Sequence, residues 1–123
     1  MAFQVEIAPR PTSSWQHAAA SGGITDTNDV VVKAATPELR HYVKSCQVVN
    51  TDATVGTEFV IKDGSTVIFR IFVPQSIAAV TQPMPSNLRF SPPLKTTAGA
   101  ALNVAAITTS AQLYANLQGF TAP

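Results

Sequence analysis

Cysteine, histidine and charge are all scarce in this chain, and each shortage excludes something. Cys46 is the single cysteine, so no intramolecular disulfide can form. Its place within the strand-like run Tyr42 to Asn50 reads it as a buried small hydrophobe. The two histidines, His17 and His41, belong to no ligand spacing of a metal site, and no second cysteine supplements them. Charged residues are 12% of the 123, against roughly 25% in an ordinary soluble domain. Much of the surface is therefore neutral or apolar, of the kind that ends up against another chain. The bland alternative is a monomer coated in Thr, Ser, Gln and Asn. Eight basic residues against seven acidic ones give a net charge of +1, and they are scattered along the chain. With no basic stripe, nucleic acid is not an expected partner. No apolar run approaches the ~18–20 residues of a membrane span. Met1 to Glu6 has no positively charged n-region, so no secretory signal is read there. The chain is expected to be made in a cytoplasm and to stay soluble, or to assemble there, with no membrane as partner.

The parts of a catalytic site are missing too. Ser14 and His17 lie close in sequence but without an orienting carboxylate. Asp29, Asp52 and Asp63 stand beside turn signals, where aspartate satisfies backbone donors. Asp26-Thr27-Asn28-Asp29 lacks the glycine and closing glutamate of a calcium loop. Gly22-Gly23 is not followed by a phosphate-loop lysine. The expectation is a protein that is not an enzyme, with no catalytic residues, no cofactor, no metal and no small-molecule substrate.

What is present is β-structure. Residues 1–25 read as an N-terminal arm: Phe3, Val5 and Ile7 alternate with Gln4, Glu6 and Ala8, and then prolines and an Ala/Ser/Gly run follow. Trp15, the only tryptophan, must pack on something, either its own domain or a neighbouring subunit. Residues 26–123 break into short apolar runs divided by turn residues. Val30-Val31-Val32 and Tyr42 to Asn50 read as strands. Thr36-Pro37-Glu38-Leu39 reads as a turn or a single helical turn. Thr57 to Lys62 and Ser65 to Val73 flank Asp63-Gly64, a hairpin signature. A two-residue Asp-Gly loop puts Phe59, Ile61 and Ile68 on one face, and Val60, Val67 and Phe69 on the other. Both faces are apolar, so both need cover: the core on one side, the arm or a partner on the other. Residues 74–93 hold five of the nine prolines and read as a long contact loop, with one short strand near Leu88-Arg89-Phe90. Leu102 to Ile107 is a further strand. Ala111, Leu113, Ala115 and Leu117 alternate with Gln112, Tyr114, Asn116 and Gln118, the pattern of a half-buried antiparallel strand. Seven or eight short strands and no long helical periodicity define an all-β antiparallel sandwich, jelly-roll-like, with an extended arm.

Several stretches resemble small virion proteins of tailed bacteriophages. They are Trp15-Gln16-His17-Ala18-Ala19-Ala20-Ser21-Gly22-Gly23-Ile24, Val60 through Ile68, the Pro93-Leu94 and Ala101-Leu102-Asn103-Val104 block, and the ending Ala111 through Phe120. The likeness is to capsid decoration, or cement, proteins. It implies a structural role at joints between major capsid proteins, as dimers or trimers of the chain. It also implies a place on the capsid surface of a virion assembled in the host cytoplasm. The partner would be the major capsid protein, further copies of the chain, or both. Phe3, Val5, Ile7 and Trp15 of the arm, with Pro83, Pro85 and Phe90 of the proline-rich segment, are the expected contact residues. The rival reading is a tail-fibre or receptor-binding module, or a carbohydrate-binding sandwich, working through Tyr114, Gln112 and Asn116.

Overall fold

The computed structural model describes residues 13–76 and 85–123. Eight strands lie among them: β1 (Ser13–His17), β2 (Val30–Lys33), β3 (Arg40–Asn50), β4 (Thr57–Asp63), β5 (Thr66–Val73), β6 (Ser86–Lys95), β7 (Leu102–Ala106) and β8 (Leu113–Ala122). β-Branched and aromatic residues fill them, and Gly, Pro, Asn and Asp divide them. None of these residues forms a helix long and apolar enough to cross a membrane.

The strands form two four-stranded antiparallel sheets, ordered β1-β8-β3-β6 and β2-β7-β4-β5. The ladders β1·β8, β2·β7, β3·β6 and β4·β5 are those of one long hairpin folded at the β4–β5 turn. Two further ladders, β3·β8 and β4·β7, close the rolled hairpin into sheets. This winding is jelly-roll-like. It brings the ends of the described chain together, since β1 lies beside β8.

The core lies between the sheets. Val43, Cys46, Val48, Leu113, Ala115 and Leu117 face it from one side, and Phe59, Ile61, Val73, Leu102, Val104 and Ala106 from the other. Each fully buried large aliphatic or aromatic side chain contributes roughly 1.5–3 kcal/mol against exposure. The alternation of β8 is as the sequence indicates, with Ala111, Leu113, Ala115 and Leu117 buried and the residues between them partly or fully exposed. Most polar side chains taken into this interior are bonded, Trp15 Nε1 and Asn103 Oδ1 being exceptions among the described residues. His41 Nε2 lies 2.8 Å from the Ala34 carbonyl, which can only accept, so Nε2 donates. Its Nδ1 lies 2.8 Å from Thr121 Oγ1. Asn50 donates from Nδ2 to the Val55 carbonyl and accepts at Oδ1 from the Asp52 N–H. Asp52 in turn accepts from the N–H groups of Thr54 and Val55, the turn role expected of it, whereas Asp63 accepts from the N–H of the distant Thr97.

Three sequence expectations are corrected. First, Ser13–His17, assigned to the arm, form β1 at the edge of a sheet. Trp15 points into the chain's own core at 9% exposure. It fits because its register partner is Gly119. A Cβ there would come within 2.7 Å of the indole Cζ2 and would collide with the Tyr42 carbonyl oxygen. Phe3, Val5 and Ile7 lie outside the described residues.

Second, the β4–β5 turn falls one residue later. Asp63 pairs with Thr66, leaving Gly64 and Ser65 to turn the chain. Asp63 is held in its strand because its Oδ2 accepts from both the N–H and the hydroxyl of Thr97. Gly64 takes the left-handed conformation (φ +60°), and its N–H donates to the Ala101 carbonyl. A bulge follows, so Ile61 pairs with Phe69 and Lys62 with Val67. Phe69 therefore turns to the core and meets Phe90 edge to face, ring centroids 5.0 Å apart.

Third, part of the segment read as a long loop with one short strand is the ten-residue strand β6. It runs through Pro92 and Pro93 because it is the last strand of its sheet. A proline's missing N–H is tolerated on such an edge. The pairing skips between Ser45↔Arg89 and Val43↔Leu94 to accommodate them. Pro83 and the rest of residues 77–84 lie outside the described residues.

Candidate interaction faces

Each sheet turns one face to the core and one outward, and the two outward faces differ in chemistry. On the β2-β7-β4-β5 sheet, pairing fixes which residues share the outer face. Val31 pairs with Asn103, Asn103 with Lys62, and Lys62 with Val67. The next row is Ala105, Val60 and Arg70. The third is Glu58 and Phe72, with Ile107 beside them, its N–H donating 3.2 Å to the Glu58 carbonyl. Val60 and Ala105 are buried although they lie outside the cluster between the sheets. Around them Phe72, Val31 and Ile107 stand 59%, 55% and 50% exposed.

The charges on this face are neutralised locally. Lys62 Nζ meets Asp29 at 2.8 Å, and an Arg70 guanidinium N–H meets Glu58 at 3.2 Å. Such exposed pairs contribute roughly 0–1 kcal/mol of stability. Their consequence here is that an apolar surface spanning the four strands carries locally paired charges.

The outer face of the β1-β8-β3-β6 sheet is polar. Gln16, Gln118, Ser45 and Arg89 form one row across all four strands. Asn116, Gln47 and Asn87 form the next. The stacked pair Tyr42 and Phe120, ring centroids 4.6 Å apart, lies at one end. Tyr114, paired with Val49, lies at the other, its hydroxyl accepting from Gln112 Nε2. Two adjoining hollows of about 450 and 580 Å³ open on this face. His17 sits beside the second, and burial lowers its pKa.

Of the remaining expected contact residues, Pro85 is exposed and Phe90 is half-buried, packed against the core from β6. Among the described residues no three of His, Cys, Asp and Glu gather into a metal-holding group. Burial pushes the Cys46 thiol up to about 12, which keeps it protonated and unreactive. The apolar outer face was partly legible in sequence, as the second apolar side of the β4–β5 hairpin. Val31 and Ile107 were not assignable to it, because their placement follows from non-local pairing through β7.

The fold thus defines an all-β, jelly-roll-like sandwich with one apolar and one polar outer face. No protein-family model matches the chain, and no curated protein matches it. Among solved structures it is similar to a pentameric capsid protein isolated from metagenomic phage sequences, at 17% identity and a TM-score of 0.37. The likeness covers 98% of this chain and 64% of that one, so the chain spans less than two thirds of that protein's length.

Proposed function

We propose that the chain is a structural subunit of a bacteriophage virion, non-catalytic, which decorates or cements the capsid at joints between major capsid proteins. The observation that carries this reading is the outer face of the β2-β7-β4-β5 sheet. Phe72, Val31 and Ile107 are exposed around the buried pair Val60 and Ala105. Burying that strip against a neighbouring protein is the mechanism. A standard interface removes about 1,600 Å² from water. Many symmetry-related copies would add avidity beyond what one contact supplies. The low charge content and the sequence resemblance to virion proteins support the same reading.

A binding role needs no reactive group. The two most suspicious side chains are accounted for structurally, His41 by bonds at both ring nitrogens and Cys46 by burial. The neighbour on the apolar face is the major capsid protein, a further copy of the chain, or both in turn around a joint. The test is the copy number of the chain in purified phage particles, measured by quantitative mass spectrometry against the major capsid protein. The expected result is a fixed stoichiometry of many copies per particle. Absence from particles, or a few copies only, would overturn the proposal.

A further inference from the structure

The polar outer face carries a separate inference, which does not rest on the virion reading. Its two hollows share Gln16, Ser45, Arg89 and Gln118, so they form one continuous trough across the four strands. Three features of the trough select a ligand.

The first is its charge. Arg89 and Lys44 line it, and no aspartate or glutamate does. The ion pairs of the described residues are made by Lys62 and Arg70, on the other sheet, and neither Arg89 nor Lys44 is paired with a described carboxylate. Among the described residues, a lining with two cations and no carboxylate favours an anion.

The second is its amides. Gln47 Nε2 donates 3.0 Å to Asn87 Oδ1, Ser45 donates 3.4 Å to Gln118 Oε1, and Asn116 Oδ1 accepts 2.9 Å from the Ala19 N–H. These bonds orient the amide planes. They leave Gln47 Oε1 as an outward acceptor, and the Gln118, Asn87 and Asn116 NH₂ groups as donors. Hydroxyl groups, each both donor and acceptor, suit such a mixed set better than a ligand of one kind.

The third is the aromatic surface that flanks the trough along the strands, the Tyr42–Phe120 stack on one side and Tyr114 on the other. Partly exposed rings of this sort offer apolar platforms to the C–H faces of a sugar.

We propose that this trough binds an oligosaccharide that carries carboxylate groups, with Arg89 holding a carboxylate and the amides of Gln47, Asn116 and Gln118 reading the hydroxyls. A nucleic acid shares the negative charge. It is the poorer fit because two cations neutralise few phosphates, and the one ring among the described lining residues, Trp15, is buried in the core at 9% exposure and offers little face to a base.

The test is binding of the full chain to an array of uronic-acid and sialic-acid glycans, with their neutral counterparts and a single-stranded oligonucleotide alongside. Titration calorimetry then measures the bound glycans against wild type, Arg89→Ala and Gln47→Ala. The expected result is preference for acidic glycans over neutral ones. Loss of the charged hydrogen bonds in Arg89→Ala should weaken binding about tenfold or more. Arg89 is exposed on an edge strand, so circular dichroism and melting should be unchanged in that variant. Gln47→Ala, with its cation intact, should weaken both acidic and neutral sugars. No binding anywhere on the array would overturn the proposal. So would equal binding by folded Arg89→Ala, or an oligonucleotide held at least as tightly as the best glycan.

Discussion

Phe72→Ala is the substitution most informative about assembly, because Phe72 is the largest apolar group left open on the β2-β7-β4-β5 face. A phenylalanine presents about 150–250 Å² of surface when fully open. At 59% exposure, about 120 Å² of Phe72 still faces water in the isolated chain. Covering that area at about 25 cal/mol per Å² contributes about 3 kcal/mol to an interface. Its loss corresponds to about a hundredfold rise in Kd. The ring also reaches over Gly56, where an added Cβ would lie 2.8 Å from its Cζ. Some intramolecular packing is therefore lost as well. Ile107→Ser serves as the companion, exposed on the same face and outside the strand ladders. Gln47→Ala, on the opposite sheet, is the control expected to bind as wild type. The assay is occupancy of capsids stripped of the chain, titrated with each variant, together with sedimentation velocity over a concentration series to follow self-association. Both face variants should shift the capsid titration, the self-association, or both. Full retention of both properties in folded Phe72→Ala and Ile107→Ser would refute the reasoning.

Gly119→Ala should lower stability by about 1–3 kcal/mol, because the new methyl meets both the Tyr42 carbonyl and the Trp15 ring. A thermal melt checks it, and an unchanged Tm would contradict the close approach of β1 and β3 across β8. Cys46 should resist a soluble disulfide reagent at mildly alkaline pH in the native protein, since burial has pushed its thiol up to about 12, and should react fully once guanidinium unfolds the chain. Asp52 is held below its ordinary 3.8, first by the Thr54 N–H and then by that of Val55. A depressed folded pKa means stability that is present above the unfolded value and lost as pH falls through the folded one. The stability gap between wild type and Asp52→Asn should therefore be open at neutral pH and close in acid below about 4, as read from melts across pH.

How much was legible in the sequence depends on whether local or non-local pairing decides. The alternation of β8 names its own inward residues, because a strand's period of two needs no partner to be read, whereas the β-branched run of β2 marks a strand without saying which valine faces inward. The β4–β5 hairpin was legible as a hairpin but not in register. The Asp63 side chain is engaged by Thr97, 34 positions away, and that contact moves the turn to Gly64-Ser65. The ten residues of β6 were obscured by Pro92 and Pro93, which argue against a central strand and are silent about an edge. Trp15 was correctly marked as a residue that must pack, but its partner glycine lies at the far end of the chain. The polar trough was invisible for the same reason. Gln16, Ser45, Arg89 and Gln118 come from four separate stretches, and only the rolled hairpin sets them in one row.

The account stands on an apolar sheet surface being covered by protein in the particle. The most direct measurement is a cryo-electron microscopy reconstruction of the phage virion, resolved well enough to orient the two sheets of this chain. The prediction is density of another polypeptide seated over Val31, Phe72 and Ile107. Copies found with that surface open to solvent, or no copies in the particle, would contradict it.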